Sequence, residues 1–419
     1  MLSTPAAQAQ DAASRTSRPA PRPESPFGSG LPLRRRLRAA WAWIRENLFS
    51  TWYNGILTVF TLGLLYLALK HGLRWVLLEA RWAVIPANIQ PLMVGTYPRA
   101  QLWRVWAVLA TLALLSGLSA GAFGARLKRA AAWGAGIAAA FLLLPLSAVS
   151  RAMVLACAGL YGAGLLGARG RRALRPWLVG AWFLSFPWTL FLLWGVQGSQ
   201  LLPRVETSWW GGLLLTLILA VVGICCSLPI GILLALGRRS SLPAISWCCT
   251  AFIEVVRGTP LVAVVFMAHL LVPLFLPDFR IDKVVRAMIG FTVFTSAYMA
   301  ENVRGGLQSV PKGQYEAALA LGMNSPLMMV LVILPQALRA VVPSIIGQFI
   351  SLFKDTSLVA IIGLLDLLGV ARSVIANPQW LGLQAEVFLF AGLIYWVLSY
   401  TLSRSSRRIE KALGVAGRR

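Results

Sequence analysis

The sequence predicts an all-α, polytopic transmembrane helix bundle of about ten spans. Three observations carry that expectation. The 419 residues are 58% hydrophobic and only 13% charged. Soluble domains hold about 25% charged residues, so much of this surface meets something other than water. Several apolar runs approach the roughly 20 residues that a spanning helix needs. Alternating strand patterns are absent, and a helix satisfies its backbone polar groups internally within lipid, so a barrel is no rival.

Taken in order, residues 1–51 are expected to form a disordered, basic, cytoplasmic tail. The first part is rich in Ala, Pro, Ser and Arg, with few large apolar residues and no secretory signal pattern. Arg34, Arg35, Arg36 and Arg38 then precede the first apolar run and favour retention of the tail inside. An N-terminal transmembrane region over 52–200 is expected to hold spans near 52–69, 102–122, 131–149, 152–168 and 177–196. Pro145 and Arg151 interrupt the apolar stretch 131–168. Basic loops flank it, at Arg126, Lys128 and Arg129 and at Arg169, Arg171, Arg172 and Arg175. If both are cytoplasmic, the chain crosses twice between them.

The second region, 201–410, begins after the polar segment 197–208. Its spans are expected near 209–236, 246–275, 284–303, 336–363 and 386–403. Arg238 and Arg239 fall inside by the same rule. So does the tail 411–419, with Lys411, Arg418 and Arg419 continuing the basic run of Arg404, Arg407 and Arg408. Outer loops follow at 70–101, 197–208, 276–283 and 370–385. Both termini are therefore expected in the cytoplasm.

Charge and composition also exclude classes. The net charge of +25 sits between apolar runs and not on a polar stripe, so it points to membrane orientation and anionic lipid, with no nucleic acid as partner. Cys157, Cys225, Cys226, Cys248 and Cys249 lie in or beside apolar stretches without metal-site or disulfide spacing. With His71 and His269 the only histidines, no metal, cofactor or nucleophile–base set is expected. The chain is read as no enzyme.

The most informative segment is 304–335, placed in the cytoplasm by parity. It contains a short helix: Pro311 near its first turn, Glu316 toward its positive end, and Gly322 as a C′ residue. That helix is too short to be stable alone and must dock on something. Ala317, Ala318 and Ala320 allow close approach to a partner.

Glu316-Ala317-Ala318, then Gly322, then Val332-Ile333-Leu334-Pro335 resemble the EAA loop of ABC-importer permeases. Ser296 to Glu301 with Arg304-Gly305-Gly306, Glu254 to Pro260, and Lys354-Asp355-Thr356-Ser357-Leu358 resemble the polar amino-acid branch of that family. The resemblance covers about 205–410, the C-terminal five-helix permease core. The added N-terminal spans and Glu206 to Gly212 are similar to the M-type membrane subunit of general L-amino-acid transport systems. The resemblance implies a permease subunit in a bacterial inner membrane, forming the path for L-amino acids. It further implies a cytoplasmic ABC ATPase dimer, a second, homologous permease subunit and a periplasmic amino-acid-binding protein as partners. Glu316, Ala317, Ala318, Gly322, Leu334 and Pro335 would couple to the ATPase. The sequence holds no Gly-x-x-x-x-Gly-Lys-[Ser/Thr] loop, so ATP falls to another chain.

Charges in or beside spans are the remaining candidates, because an intramembrane charge costs roughly 2.5–3.5 kcal/mol on insertion scales. Glu254 and Arg257 share one helical face, and Glu301 and Arg304 repeat that spacing. They read either as a structural cluster at an inner gate, Glu254 pairing with Arg304, or as contacts for a zwitterionic substrate. Lys354 and Asp355 adjoin a Ser/Thr-interrupted run, read either as a mutual ion pair or as a transporter site. The rival classes are an ion-driven secondary transporter of small polar solutes, a membrane-embedded enzyme and a purely structural scaffold.

Overall fold

The computed structural model describes residues 33–124, 127–144, 146–275, 277–278 and 281–412. Most of the expected tail 1–51, the end of the tail 411–419, Arg126 and Pro145 lie outside them. The chain divides into two compact units, Met1–Ala80 and Arg81–Arg419.

The first unit is α1 (Leu33–Leu48) and α2 (Trp52–Arg74), the latter running on in a π turn to Glu79. No residue of α2 is buried, and its apolar side chains point in every direction. A helix apolar all round suits lipid and not a half-wet surface.

The second unit is a helical bundle. A short α3 (Ile89–Val94) leads into α4 (Leu102–Ala122), α5 (Leu127–Leu142), α6 (Ala148–Gly167) and α7 (Arg175–Trp194). Then come α8 (Gly212–Arg238), α9 (Pro243–Gly258), α10 (Leu261–Phe275) and α11 (Lys283–Ser309). The short α12 (Lys312–Ala320), then α13 (Leu334–Asp355), α14 (Leu367–Ile375) and α15 (Gln384–Ala412) complete it. Among the described residues there is no β-sheet. Isolated bridges, Gly95 to Trp210 and Gly212 to Asp366, tie loops at one end of the bundle.

The structure corrects the span count. Among the described residues seven helices are long and apolar enough to cross a membrane, eight if one bent pair counts as a span, and not about ten. Three of the expected runs account for the difference. The run 131–149 becomes α5, which has 16 residues and measures about 24 Å at 1.5 Å per residue. That is short of a hydrocarbon layer of roughly 30 Å. The run 246–275 is broken into α9 and α10, which meet at 112°. Thr259 is extended (φ −101°, ψ 138°) because the ring of Pro260 disfavours the helical region for the residue before it. The run 284–303 becomes α11, 27 residues long, but Arg286, Glu301 and its hydroxyl side chains take it out of the apolar class.

α11 is the axis of the unit. It packs on α8, α9, α10 and α13, and twelve of its residues from Val284 to Leu307 are buried. Small residues allow the close approach. A Cβ at Gly231 of α8 would lie 2.4 Å from Met299 Cβ, and one at Gly306 of α11 would lie 2.5 Å from the Ala337 carbonyl of α13. One core cluster forms around Phe291, Leu215, Leu219, Val265 and Leu352. A second, at the other end of α11, gathers Ala300, Val303, Leu307, Ile253, Ala337 and Ala318.

Gly231→Ala is therefore expected to force α8 and α11 apart, lowering stability by about 1–3 kcal/mol as overpacking does. Thermal unfolding in detergent checks this against Gly136→Ala, where the added methyl meets nothing within 4 Å. An equal melting temperature for Gly231→Ala and the parent would show that the helices yield freely there.

Candidate functional site

The C-terminal ends of α8, α9 and α11 converge, and each ends in charge. Arg238 is the last residue of α8, Glu254 and Arg257 lie in the last turns of α9, and Glu301 and Arg304 lie near the end of α11. Glu301 is the hub. Arg304, one turn further on, donates to both of its oxygens, with Nε 2.9 Å from Oε2. Arg238 Nη1 and Arg257 Nη1 approach the same Oε2 at 3.6 and 3.7 Å. Arg238 also holds Glu254 at 3.0 Å. The expected partner of Glu254 was Arg304; the structure pairs it with Arg238. Arg257 lies over the Tyr298 ring at 5.7 Å, and the Tyr298 hydroxyl donates to the Arg257 carbonyl at 3.5 Å.

Three guanidinium groups thus face two carboxylates. Glu301 is 25% exposed and Glu254 is 54% exposed, so the outer pair is screened by solvent and contributes little, about 0.2–1 kcal/mol. The hub pairs are more enclosed and bind three helices at one point. Arg238 was assigned from sequence only to a cytoplasmic loop. Its place at the last turn of an apolar span was the available signal, since a long basic side chain there reaches back along neighbouring helices.

Beyond the hub, α12 packs one side against the bundle through Ala318. Its end is a Schellman motif: the Gly322 N–H donates to the Leu319 carbonyl and the Met323 N–H to the Ala318 carbonyl. Gly322 has φ +75°, which glycine tolerates best. Of the alanines read from sequence, Ala318 is buried on the bundle, while Ala317 and Ala320 face out with Glu316, Leu319 and Leu321. The Arg239 guanidinium lies over the Tyr315 ring at 5.9 Å, and Gln336 donates to Gln314 at 3.1 Å. These contacts seat the helix. Leu334 and Pro335 lie where a π turn, Met329–Ile333, passes into α13. Proline supplies no N–H to the helical ladder, so a local rearrangement at that point is natural.

Lys354 and Asp355 sit elsewhere, at the end of α13 where the chain tightens into a 3₁₀ helix, Thr356–Ile362. Adjacent residues do not face each other on a helix, and no salt bridge joins them. The structure therefore separates the expected gate residues into the hub at one end of α11 and the Lys354/Asp355 break. Among the described residues no group of three or more His, Cys, Asp or Glu residues is placed to hold a metal.

An all-helical bundle with seven or eight helices long and apolar enough to cross a membrane, among the described residues, defines a class: a polytopic integral membrane protein. Residues 227–415 match the family described as "Binding-protein-dependent transport system inner membrane component". The inner membrane amino-acid ABC transporter permease protein YhdY of Escherichia coli (strain K12) is 39% identical over 389 residues, 89% of this chain and 92% of the relative. The glutamate/glutamine/aspartate/asparagine transport system permease protein BztC of Rhodobacter capsulatus is 37% identical over 423 aligned positions, 88% of this chain and 93% of that protein. A crystal structure of an amino acid ABC transporter with histidines covers 48% of this chain and 92% of its own at 30% identity, with a TM-score of 0.43. The chain belongs to the family of binding-protein-dependent transport system inner membrane components. It is a multi-pass inner-membrane protein and a non-catalytic transport component.

Glu301→Gln keeps the size of the hub but removes the charge that three arginines share. Stability is expected to fall by about 1–3 kcal/mol, the cost of stranding charged groups, read as a lower melting temperature in detergent. Adding Arg304→Gln removes one of the stranded guanidiniums, so the double variant should recover part of the loss. A double variant no more stable than Glu301→Gln would show that the hub is not held by charge pairing.

Proposed function

We infer that this chain is the membrane-spanning permease subunit of an ABC importer of amino acids, coupled to a cytoplasmic ATPase partner. The observation that carries this reading is similarity that runs along most of the chain, N-terminal spans included, to permeases of amino-acid systems. Solute would pass through the bundle around α11, while ATP is hydrolysed on separate chains. The assembly that suits this role has an ATPase dimer below, a second permease beside and a solute-binding protein outside. Shorter permeases of glutamate/aspartate import match about half of this chain, so the N-terminal spans are an addition to a common core.

α12 is the coupling element in this proposal. Leu319 in its last turn and Leu321 just past its end are 56% and 81% exposed, and Ala317 and Ala320 are exposed beside them. Exposed apolar side chains at the end of a nine-residue helix fit a groove on another protein better than they fit water. Gly322 follows them with open space around it. The Glu301 hub lies one connection away, where α11 ends and α12 begins, so movement of α12 would load the charge pairs of three helices. Glu254, Arg257, Glu301 and Arg304 then act as an inner gate. Lys354 and Asp355 are assigned to the solute path at the broken end of α13.

Gly322→Ile tests the coupling role. A Cβ in the left-handed conformation is penalised by about 1–2 kcal/mol, and the side chain would project beside the proposed docking residues. Membrane insertion and helix content should stay unchanged, ATPase co-purification should weaken, and amino-acid uptake should fall more than binding does. Glu316→Ala should act in the same direction more mildly, by about 0.3–1 kcal/mol of helix-end electrostatics. Normal uptake by Gly322→Ile at equal membrane levels would make α12 a plain connector.

Orientation is open to a second measurement. The basic loops favour 169–175, 304–335 and the C-terminus in the cytoplasm, with 197–208 outside. A cysteine placed at Gly313 in a cysteine-free chain should react with impermeant maleimide only in inverted vesicles. Labelling of that position in intact cells would put α12 out of reach of any cytoplasmic ATPase.

A further inference from the structure

α1 is too short and too charged to cross a membrane. Its 16 residues measure about 24 Å at 1.5 Å per residue, short of a hydrocarbon layer of roughly 30 Å. Five of them are arginine (Arg34, Arg35, Arg36, Arg38 and Arg45), against one acid, Glu46. Yet α1 is tied to a membrane by the chain. α2, running on to Glu79, is among the helices long and apolar enough to span, and Phe49, Ser50 and Thr51 alone separate the two. Chain length by itself keeps Leu48 within roughly 15 Å of Trp52.

The connection is a corner. Thr51 is extended (φ −137°, ψ 160°) where α2 begins. The Thr58 hydroxyl donates back to the Leu48 carbonyl at 2.8 Å, and Asn54 Nδ2 donates to the Ser50 hydroxyl at 2.9 Å. A Cβ at Gly55 would lie 3.4 Å from the Phe49 ring. The end of α1 is thus held beside the second turn of α2, about 9 Å along that helix from Trp52. Trp52 and Tyr53 are 80% and 57% exposed, and such aromatic residues at the mouth of a span sit at headgroup level. Helices that lie in the membrane plane are buried about 5–10 Å into the boundary of headgroups and acyl chains. The corner leaves Leu48 at that depth.

α1 also has two unlike sides. Leu33, Leu37, Trp41, Ile44 and Leu48 follow one another at steps of three or four and so share one helical face. Arg38 and Arg45, seven positions apart, run along the edge of that stripe, with Arg34 in line. Trp41 is 70% exposed two turns before the corner, so the stripe does not pack along α2. An apolar stripe edged by arginine matches a lipid surface. The stripe enters the acyl boundary while the apolar stems of the arginines carry their charged heads back to the phosphates. Guanidinium forks suit phosphate oxygens, and the excess of positive charge favours anionic headgroups.

We propose that α1 is an in-plane membrane anchor whose ligand is an anionic phospholipid surface. Its apolar stripe rests in the acyl boundary, and its arginines bind headgroup phosphates on the side of the membrane where α2 begins. This role goes beyond solute import and requires none of it.

The test uses the full chain, its five native cysteines replaced by alanine, in phosphatidylcholine vesicles with or without an equal share of phosphatidylglycerol. A nitroxide is attached at Ile44→Cys, in the stripe, or at Ala42→Cys, on the opposite face. Electron paramagnetic resonance reads its collisions with lipid-soluble oxygen and with a water-soluble nickel chelate. In anionic vesicles the label at 44 should meet oxygen, and the label at 42 should meet the chelate. Arg38→Gln with Arg45→Gln should lower the ratio of membrane-bound to free label at 44 about thirtyfold, at about fivefold per arginine. Arg38→Lys with Arg45→Lys should keep most of that ratio, and raised salt should lower it. Equal access of the chelate to both labels in anionic vesicles would leave α1 in water and overturn the proposal. Equal insertion with and without phosphatidylglycerol would overturn recognition of anionic lipid. Shielding of both labels from both reagents would mean that protein covers α1, and would overturn the lipid ligand as well. None of these readouts involves transport, so failure here leaves the import reading standing, and failure of import leaves the anchor standing.

Discussion

The constraint on which the structure depends is that α11 carries charge and hydroxyl groups through the middle of a chain built mainly for lipid. Such a helix persists in a membrane only when neighbours cover it, because lipid offers its polar groups no partners. α8, α10 and α13 supply that cover, and small residues set how closely they come. Gly231 lets α8 lie against Met299 and Ala300, and Gly306 lets α13 lie against α11 at Ala337. The hydroxyls of Thr295 and Ser296 are fully buried as a result.

The two ends of α11 then acquire different chemistry. Its 27 residues separate them by roughly 40 Å at 1.5 Å per residue. At the C-terminal end, Glu301 gathers three arginines from three helices, and α12 follows within three residues of the end of α11. In the proposed coupling role, a displacement of α12 would load a junction of charge pairs and not a soft loop. At the N-terminal end, Asp282 caps the helix beside a polar pocket. One long element joins the charged hub to the polar pocket at the opposite end of the bundle.

Backbone and buried polar contacts tie the N-terminal part of the second unit to the core and tie the core's own loops together. Tyr97 donates to the Leu193 carbonyl at 2.9 Å, and the Arg81 N–H donates to the buried Glu386 carboxylate at 3.0 Å. Gly212 donates to the Leu365 carbonyl at 2.9 Å, and the Leu367 N–H donates to the Thr216 hydroxyl at 3.1 Å. Asp366 completes the junction by capping α14 and accepting from the Tyr395 hydroxyl at 3.0 Å. These contacts make the loops around the pocket part of the bundle.

Composition and periodicity by themselves determined an all-helical membrane chain, because lipid admits few other solutions for apolar runs of that length. The position of a short helix after Pro311 and its end at Gly322 were legible for the same local reason: proline and glycine restrict the backbone wherever they fall. Span counting went too far where apolarity stood in for geometry. α5 is apolar but short, α9 and α10 are apolar but broken at Pro260, and α11 is long but polar. The hub was half legible, since Glu301 and Arg304 are neighbours on one helix. That Arg238 joins it, and that Glu254 turns to Arg238 and not to Arg304, was decided by the crossing of α8, α9 and α11. The pocket left no mark in the sequence, because Thr96, the 204–211 segment, Arg286 and Ser373 are far apart along the chain and meet only when the helix ends converge. Local patterns set by lipid and backbone chemistry are written residue by residue; pairings among side chains from different helices depend on packing that only the tertiary structure supplies.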